Sequence, residues 1–553
     1  MSLRRLTAGS GYDYLTRQVA AMDSTEKGHL TLASYYTEKG EVPGRWVGSG
    51  MAGIDGLNAG DIVTAEQMQA LFGSGLHPLA LERSRALFEQ GASADEILKA
   101  TRLGTPFKVY DDVSPFRVEV ARRLEALNHS KGVPRDALVP IEDRARIRTE
   151  VALELFVKEH RRAPLDAREL TGFIAELSRQ KTTAVSGFDL TFSPVKSVSA
   201  LWALADPHIA ARIERAHHAA VADALQFIET HALFTRTGRQ GVQQVDVRGL
   251  VAVAFTHRDS RAGDPDLHTH VAVANKVQTL VDGRWLSIDS RVLHKAIVAA
   301  SETYNTALER HLASTLGLRF AERASTDPRK RPVREIVGVD PRLNDRWSSR
   351  RKSIEVRRRD LTALFQRDHG RPPTPVEEIA LAEQATIETR DAKHEPRTLV
   401  EQRTTWHAQA TEVLGGDGGI SAMIDRALHP NPARRVRLND AWVDAAAAAV
   451  VARVEQDRSV WQAWHLIGEA QRIVRAADVP PDQVEILVTR VVERATSAHS
   501  VTLTKPDPIT DPEPLRRRGG ASVYPVAGSQ HYTSQRILDA EQRIVAAAGR
   551  RDG

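Results

Sequence analysis

Three histidines, His257, His268 and His270, have the spacing needed to build a metal centre. His268 and His270 lie two residues apart in an apolar run typical of a β-strand, so both side chains would project from one face. His257 ends the preceding strand pattern and would lie opposite them in an antiparallel hairpin. Three imidazoles leave open positions on Zn, Mn, Co, Ni or Mg for substrate oxygens. The chain has 20 histidines, so structural or surface roles are the alternative.

Tyrosines are concentrated near the N-terminus. Four of the eight, Tyr12, Tyr14, Tyr35 and Tyr36, fall within the first 36 residues. A phenol can form a covalent phosphoester, but its ordinary pKa of about 10 means that a metal, a base or a cation must activate it. Packing of the rings, or stacking of nucleic-acid bases on them, would explain the same concentration.

A carboxylate, Asp189, lies on the polar face of a further strand pattern over residues 184–193. Phe188 and Leu190 flank it and point to the opposite face. Asp189 could orient a histidine, accept the proton of a tyrosine, or only satisfy backbone donors.

The elements that must position these residues follow from hydrophobic periodicity. Helices are predicted over residues 209–231 and 290–316, and strands over 250–257 and 267–277, which polar residues 258–265 would join as a hairpin. The first 50 residues are expected to be irregular with short helices. Helix is predicted to dominate residues 60–181 and the chain from 316 to about 498, followed by a proline-rich linker and a last helix over 534–548.

Composition narrows the classes of protein. The 553 residues are 41% hydrophobic and 27% charged, which is typical of a globular chain. The absence of cysteine excludes disulfides, iron–sulfur clusters and thiolate zinc sites. No apolar stretch approaches the roughly 20 residues of a membrane span. No signal peptide pattern follows Arg4 and Arg5, so we expect a cytoplasmic protein without membrane insertion.

Basic residues are unevenly distributed along a chain of net charge +5. Residues 340–375 contain ten Arg or Lys against five Asp or Glu. Such clusters suit phosphate backbones, or they form a solvated helix face.

Together, these motifs resemble the conjugative relaxases of the TraI/TrwC type, the MobF class of three-histidine (HUH) endonucleases. The family spacing of eleven and then two residues between the histidines is met here. The stretch GFDLTFSPVKSVS, residues 187–199, is similar to the family's second motif, with Asp189 at its acidic position. Tyr12 and Tyr14 fall where a first tyrosine group would lie, and Tyr35 with Tyr36 resembles a second. The resemblance covers about residues 10–50 and 184–415.

The resemblance implies an α+β fold: an antiparallel, palm-like sheet with helices packed on it, a helical insertion and a mostly helical C-terminal region. It implies a catalytic domain over residues 1–340, with the insertion at about 55–183. A helical, DNA-embracing part would follow over 341–500, and a linker and the start of a truncated helicase-like module over 501–553. The helicase loop Gly-x-x-x-x-Gly-Lys-Ser/Thr does not occur, so no ATP site is expected.

The activity implied is site- and strand-specific nicking of single-stranded DNA at a transfer origin, through a 5′-phosphotyrosyl intermediate. The three histidines would hold a divalent ion, Mg, Mn or another. Tyr12 is expected to attack first, and the second tyrosine group would serve a second transfer. Lys196, Arg261 and Arg350 are candidates to hold DNA phosphates.

The same resemblance implies a coupling ATPase and a type IV secretion channel as partners, and export with the DNA strand. Three alternatives stay open. They are a rolling-circle replication initiator, a DNA-binding protein with a decayed site, and a three-histidine metallohydrolase that uses water.

Overall fold

The computed structural model describes residues 1–12, 15, 43–109, 115–132, 139–178, 183–323, 331–389, 397–432, 437–505 and 510–549. Its strands are β1 (Ser2–Thr7), β2 (Arg45–Val47), β3 (Val185–Phe192), β4 (Phe234–Thr237), β5 (Gln243–Asp246), β6 (Ala252–Asp259), β7 (Pro265–Ala274), β8 (Val277–Gln278), β9 (Trp285–Leu286), β10 (Phe320–Glu322), β11 (Arg334–Ile336), β12 (Val501–Thr502) and β13 (Tyr532–Thr533).

Helices make up most of the remaining chain. They are α1 (Ala65–Met68), α2 (Ala80–Glu89), α3 (Ala94–Thr101), α4 (Pro115–Ser130), α5 (Ile141–His160), α6 (Ala167–Ser178), α7 (Lys196–Leu204), α8 (Pro207–His231), α9 (Ser290–Leu316), α10 (Pro341–Arg346), α11 (Ser349–His369), α12 (Pro375–Glu388), α13 (Leu399–Leu414), α14 (Asp417–Leu428), α15 (Asp440–Glu455), α16 (Ala463–Ala476), α17 (Val484–Ser497) and α18 (Gln535–Ala548). A π-helical segment, Gln69–Ser74, continues α1.

A five-stranded antiparallel sheet in the order β1-β3-β7-β6-β2 forms the centre of the molecule. The predicted hairpin is β6 and β7, and the pairing register sets His257 directly opposite His268. On β3, Asp189 pairs with Ala272 and Thr191 with His270. Residues two apart on a strand share a face, so this register brings Asp189 to the face that carries the three histidines.

Apolar residues cover both faces of this sheet. One face carries Leu190 and Val271, which are buried in the main core with α7, α8, α9 and α13. The other face carries Val253 and Ala272, which pack with Phe72 of the π-helical segment and form a second core. The histidine face is therefore the face covered by the N-terminal part of the chain.

The N-terminus differs from the prediction. Residues 2–7 form β1, an edge strand of the central sheet, whereas the first 50 residues were expected to be irregular with short helices. In this strand Leu6 is buried, while Arg4 and Arg5 are exposed. The adjacent charges hide the strand pattern, and pairing with β3 supplies the stabilisation that the local sequence lacks.

Two helical units lie beyond the central sheet. Helices α4, α5 and α6 share their own small apolar core around Phe116 and Val151. Helices α15, α16 and α17 form another core, in which Trp461 packs with Tyr532 of β13. In the described part of the chain, no helix combines the length and the apolar character needed to cross a membrane.

A buried polar network supports the hairpin from the main-core side. The hydroxyls of Thr256 and Thr269 lie 3.0 Å apart, and Thr269 Oγ1 lies 2.8 Å from His217 Nε2. The Nδ1 atom of His217 is 2.9 Å from the hydroxyl of Tyr304. Burial lowers the pKa of His217 and raises that of Tyr304, so both side chains stay neutral and can share one chain of hydrogen bonds.

Removing one hydroxyl tests this network. Tyr304→Phe leaves a nitrogen of the fully buried His217 without its partner, and should lower the free energy of unfolding by about 1–3 kcal/mol. Urea unfolding followed by fluorescence measures the change. Tyr524→Phe, at a site that is 44% exposed, is the matched control and should stay within about 0.5 kcal/mol of the parent. Equal urea midpoints of unfolding for Tyr304→Phe and Tyr524→Phe would contradict the prediction.

Candidate active site

The three histidine rings form a nearly equilateral triangle on one face of the hairpin. The ring centroids of His257 and His268 lie 5.3 Å apart, those of His257 and His270 5.5 Å, and those of His268 and His270 5.3 Å. Three imidazoles on one ion, each with a metal–nitrogen distance near 2.1 Å, require centroids roughly 5 Å apart. The centroid spacing is therefore close to that of three imidazoles on one ion, although no three His, Cys, Asp or Glu side chains among the described residues have their ligand atoms already arranged for a metal ion.

Asp189 orients one of these rings. His270 Nδ1 lies 2.9 Å from Asp189 Oδ2 and 3.0 Å from Oδ1, and the hydroxyl of Thr191 lies 3.2 Å from the same nitrogen. The Asp189 side chain is only 1% exposed. A buried carboxylate that accepts Nδ1–H fixes the ring and its tautomer and leaves the lone pair on Nε2 for a ligand.

A backbone carbonyl performs the same role for His268. His268 Nδ1 donates to the oxygen of Asp266 at 2.7 Å. Burial lowers the pKa of His268, so the ring is neutral near pH 7. In both His268 and His270 the Nδ1 atom faces an acceptor, so Nε2 is the nitrogen that remains to bind a metal ion.

The loop at the tip of the hairpin is fastened to the C-terminal helices. The backbone N–H of Ser349 donates to Asp264 Oδ2 at 2.9 Å, and its hydroxyl donates to Oδ1 at 3.1 Å. The indole N–H of Trp406 donates to the carbonyl of Gly263 at 2.8 Å. Because these contacts come from α11 and α13, those helices hold the strand ends that carry His257 and His268.

Of the predicted tyrosines, Tyr12 lies within the described residues, whereas Tyr14, Tyr35 and Tyr36 lie outside them. Tyr12 follows β1 and is 6% exposed, with its ring centroid 6.3 Å from that of Phe72. It belongs to the second core, on the same face of the sheet as the histidines.

The predicted phosphate-binding residues border the hairpin. The amine of Lys196 donates to the carbonyl of Pro265 at 2.9 Å and to Asp266 Oδ1 at 3.3 Å. Arg261 lies half-buried in the hairpin loop, and Arg350 lies half-buried in the first turn of α11. The structure therefore places Lys196 and Arg261 beside the loop, and Arg350 on the helix that anchors it.

Comparison with known proteins identifies relaxases as relatives of this chain. A family model described as TrwC relaxase matches residues 8–413, well over half of the chain. The chain belongs to the TrwC relaxase family. It is also 39% identical over 120 residues to the multifunctional conjugation protein TraI of Escherichia coli, an alignment that spans 21% of this chain and only 6% of TraI.

Two solved structures of the conjugative relaxase TrwC in complex with oriT DNA are similar at lower identity. The metal-bound structure is 20% identical with a TM-score of 0.42, covering 75% of this chain and 99% of TrwC. The metal-free structure is 21% identical with a TM-score of 0.41, covering 74% and 98%.

Family membership confirms the predicted relaxase resemblance and the α+β fold class. The contacts of this relaxase-family site that the sequence analysis missed are Thr191 at His270, the Asp266 carbonyl at His268, and Ser349 at Asp264. Thr191 had a visible signal, because it lies two residues from Asp189 on the same strand face. The pairing of Ser349 with Asp264 joins residues 85 positions apart, and no local pattern predicts it.

The carboxylate that orients His270 offers a test that does not require catalysis. Asp189→Asn keeps the shape but removes the negative charge, and should weaken binding of Mn²⁺ by about 10- to 100-fold. Competition against a chromophoric chelator measures the affinity. Asp345→Asn, at a side chain that is 72% exposed, is the control and should bind as the parent does. Unchanged affinity in Asp189→Asn would contradict the orienting role.

Proposed function

We propose that this chain nicks one DNA strand at the transfer origin of a plasmid or integrative element and so initiates conjugative transfer. The observation that carries the proposal is the triangle of His257, His268 and His270, with Asp189 bonded to one ring, on the sheet face where Tyr12 is packed. Family membership supports the reaction class, and TraI, a relative over a short segment, is a conjugation protein.

The reaction is a transesterification. The phenol of a tyrosine gives up its proton as its oxygen forms a bond to the scissile phosphorus, and the bond from phosphorus to the 3′ oxygen breaks. That oxygen takes up one proton and leaves as a hydroxyl, so the step neither consumes nor releases a proton overall. The 5′ phosphate stays on the tyrosine. We assign the first attack to Tyr12, with Tyr14 in the same group, and a second transfer to Tyr35 or Tyr36.

The proposed role of the three histidines is to hold a metal ion at the scissile phosphate. A divalent ion held by His257, His268 and His270 would supply Lewis-acid polarisation of the scissile phosphate. Both carboxylate oxygens of Asp189 lie within 3.0 Å of His270 Nδ1, so Asp189 acts as a positioning residue that keeps the ring oriented, rather than as the base for the tyrosine.

Positive side chains around the hairpin would hold the DNA strand. Lys196 contacts the start of β7, Arg261 lies in the loop between β6 and β7, and Arg350 lies on α11, the helix that anchors that loop. On α11 most basic side chains are paired with carboxylates, for example Arg357 with Glu388 at 2.6 Å. Such exposed pairs are worth at most about 1 kcal/mol, so a DNA phosphate can replace the carboxylate at small cost.

The rest of the chain has assigned roles in this proposal. Residues 1–340 form the catalytic part, 341–500 the helical part that embraces DNA, and 501–553 a linker with a helicase-like segment. The protein acts in the cytoplasm on single-stranded DNA and delivers the strand through a coupling ATPase to a type IV secretion channel.

One cleavage assay with a labelled oligonucleotide distinguishes the relaxase from three alternative functions. A metallohydrolase would cut a labelled oligonucleotide without leaving an adduct, and a decayed DNA-binding protein would bind without cutting. A rolling-circle initiator would share the adduct but act at a replication origin; the second tyrosine group favours the relaxase.

The nucleophile is tested by removing one oxygen. Tyr12→Phe keeps the buried ring and its packing against Phe72, and should lose the covalent adduct with an oligonucleotide. Tyr35→Phe and Tyr36→Phe should retain it and serve as controls. Mass spectrometry of the adduct peptide identifies the residue. A nucleotide on Tyr14 would move the assignment within the same group, and cleavage without any tyrosine adduct would refute transesterification.

The metal site is tested by His268→Ala. We expect this variant to lose cleavage but to keep its DNA affinity within a few fold, because backbone phosphate contacts supply most of that affinity. His429→Ala, at a side chain that is 75% exposed, should retain both properties. Full cleavage by His268→Ala in chelator-treated buffer would overturn the assignment.

A further inference from the structure

A cavity of about 380 Å³ lies apart from the histidine triangle, between α2, α3 and the β8–β9 hairpin. We call it the basic cavity. It is lined by Arg83, Lys99, Arg102 and Arg248, together with His77 and one carboxylate, Asp55. Four permanent positive charges against one negative charge make this concave surface attractive to an anion.

The positive charges of the basic cavity are not neutralised within the described part of the chain. The guanidinium of Arg83 donates to two backbone carbonyls, those of Asp55 at 2.8 Å and Ala100 at 3.2 Å. Arg248 Nε donates to the side-chain amide oxygen of Gln278 at 2.8 Å. These acceptors are neutral, so they position the two arginines and leave their charge available.

His77 supplies a buried donor to the same cavity. The residue is 4% exposed, and the backbone N–H of Leu79 donates to its Nδ1 at 3.1 Å. Burial, with the charge of Arg83, lowers the pKa of His77 to about 4, so at neutral pH the ring carries one proton, on Nε2. Among the described residues Nε2 has no hydrogen-bond partner.

A buried donor without an acceptor is unfavourable, and a ligand oxygen would satisfy it. An acceptor that also carries negative charge matches the surrounding arginines and lysine. Phosphate oxygens meet both requirements, because each accepts hydrogen bonds and the group is anionic.

Two glycines allow the opposite walls of the basic cavity to approach each other closely. A Cβ at Gly53 would lie 2.4 Å from Gln278 Oε1, the amide that holds Arg248. A Cβ at Gly104, where φ is +68°, would lie 2.4 Å from the carbonyl oxygen of Trp285, another lining residue. The two glycines let the β8–β9 side approach the helices, so the cavity is a formed site rather than a gap between loops.

The basic cavity is distinct from the nicking site. Arg248 precedes the start of β6, whereas His257 lies near its end. Gln278 follows the end of β7, and the stretch of that strand from His270 to Ala274 alone spans about 13 Å. The two sites therefore lie at opposite ends of the hairpin.

We infer that the basic cavity is a second site for a phosphate group, held by His77 Nε2–H together with Arg83, Lys99, Arg102 and Arg248. The phosphate belongs either to the backbone of a bound single strand or to a free nucleotide. The DNA source rests on the proposed function; the anion site does not.

The test replaces two exposed charges that have no ion pair among the described residues. Lys99→Gln with Arg102→Gln in the full chain is compared with Arg85→Gln with Lys158→Gln, a pair of exposed basic residues outside the cavity. Metal-free binding of a single-stranded oligonucleotide is measured across salt concentrations, so nicking is not required. Calorimetry with thymidine 5′-monophosphate and with inorganic phosphate tests the free ligands.

If DNA occupies the site, the slope of log K against log salt should become shallower by about 0.7 per lost contact, or about 1.4 for the cavity pair, more than for the control pair. If a free nucleotide occupies it, thymidine monophosphate should bind the parent and lose binding in the cavity pair, with an unchanged DNA slope. His77→Phe, which keeps a ring but lacks the donor, should weaken the same ligand. Equal DNA slopes in both pairs, with neither small ligand bound, would overturn the proposal.

Discussion

In the hairpin of β6 and β7, His257 pairs directly with His268, and everything else at the site depends on this register. Side chains alternate between the faces of a strand, so a slip of one residue would turn His268 and His270 towards the main core and their apolar neighbours towards the histidine face. Pairing of β3 with β7 then brings Asp189 beside His270. One ladder of backbone hydrogen bonds thus sets the triangle and its orienting carboxylate together.

The register is held from two directions. On the core side, Thr269, which lies between the two histidines, is tied through His217 to Tyr304 on α9. At the tip, Asp264 of the hairpin loop is tied to the first turn of α11. The C-terminal helices therefore hold the strand ends that carry the histidines. These contacts keep the three imidazoles in a fixed geometry. Small displacements of the rings would weaken metal binding and misplace a bound phosphate relative to a nucleophile.

The arginines of α11 and those of the basic cavity have different kinds of hydrogen-bond acceptor. Along α11 most arginines are at least partly exposed and paired with carboxylates such as Glu388, an arrangement that lets a different anion replace the carboxylate. In the basic cavity, Arg83 and Arg248 are held by neutral carbonyl and amide oxygens, which fix the geometry and preserve the charge. The first arrangement suits contacts along a flexible strand, whereas the second suits one anion in a defined place.

Local sequence determined the histidine hairpin and the chemistry that its side chains can perform. Apolar runs over 250–257 and 267–277 predicted β6 and β7, and the histidine spacing, read with the family motifs, predicted which residues belong together. Tertiary structure alone decided the rest. Strand β1 was missed because its adjacent Arg4 and Arg5 obscure the alternation, and only pairing with β3 makes it a strand. The anchoring of Asp264 by Ser349 and the gathering of charges around His77 join residues far apart in sequence, and such contacts arise from packing, which leaves no periodic signal in the chain.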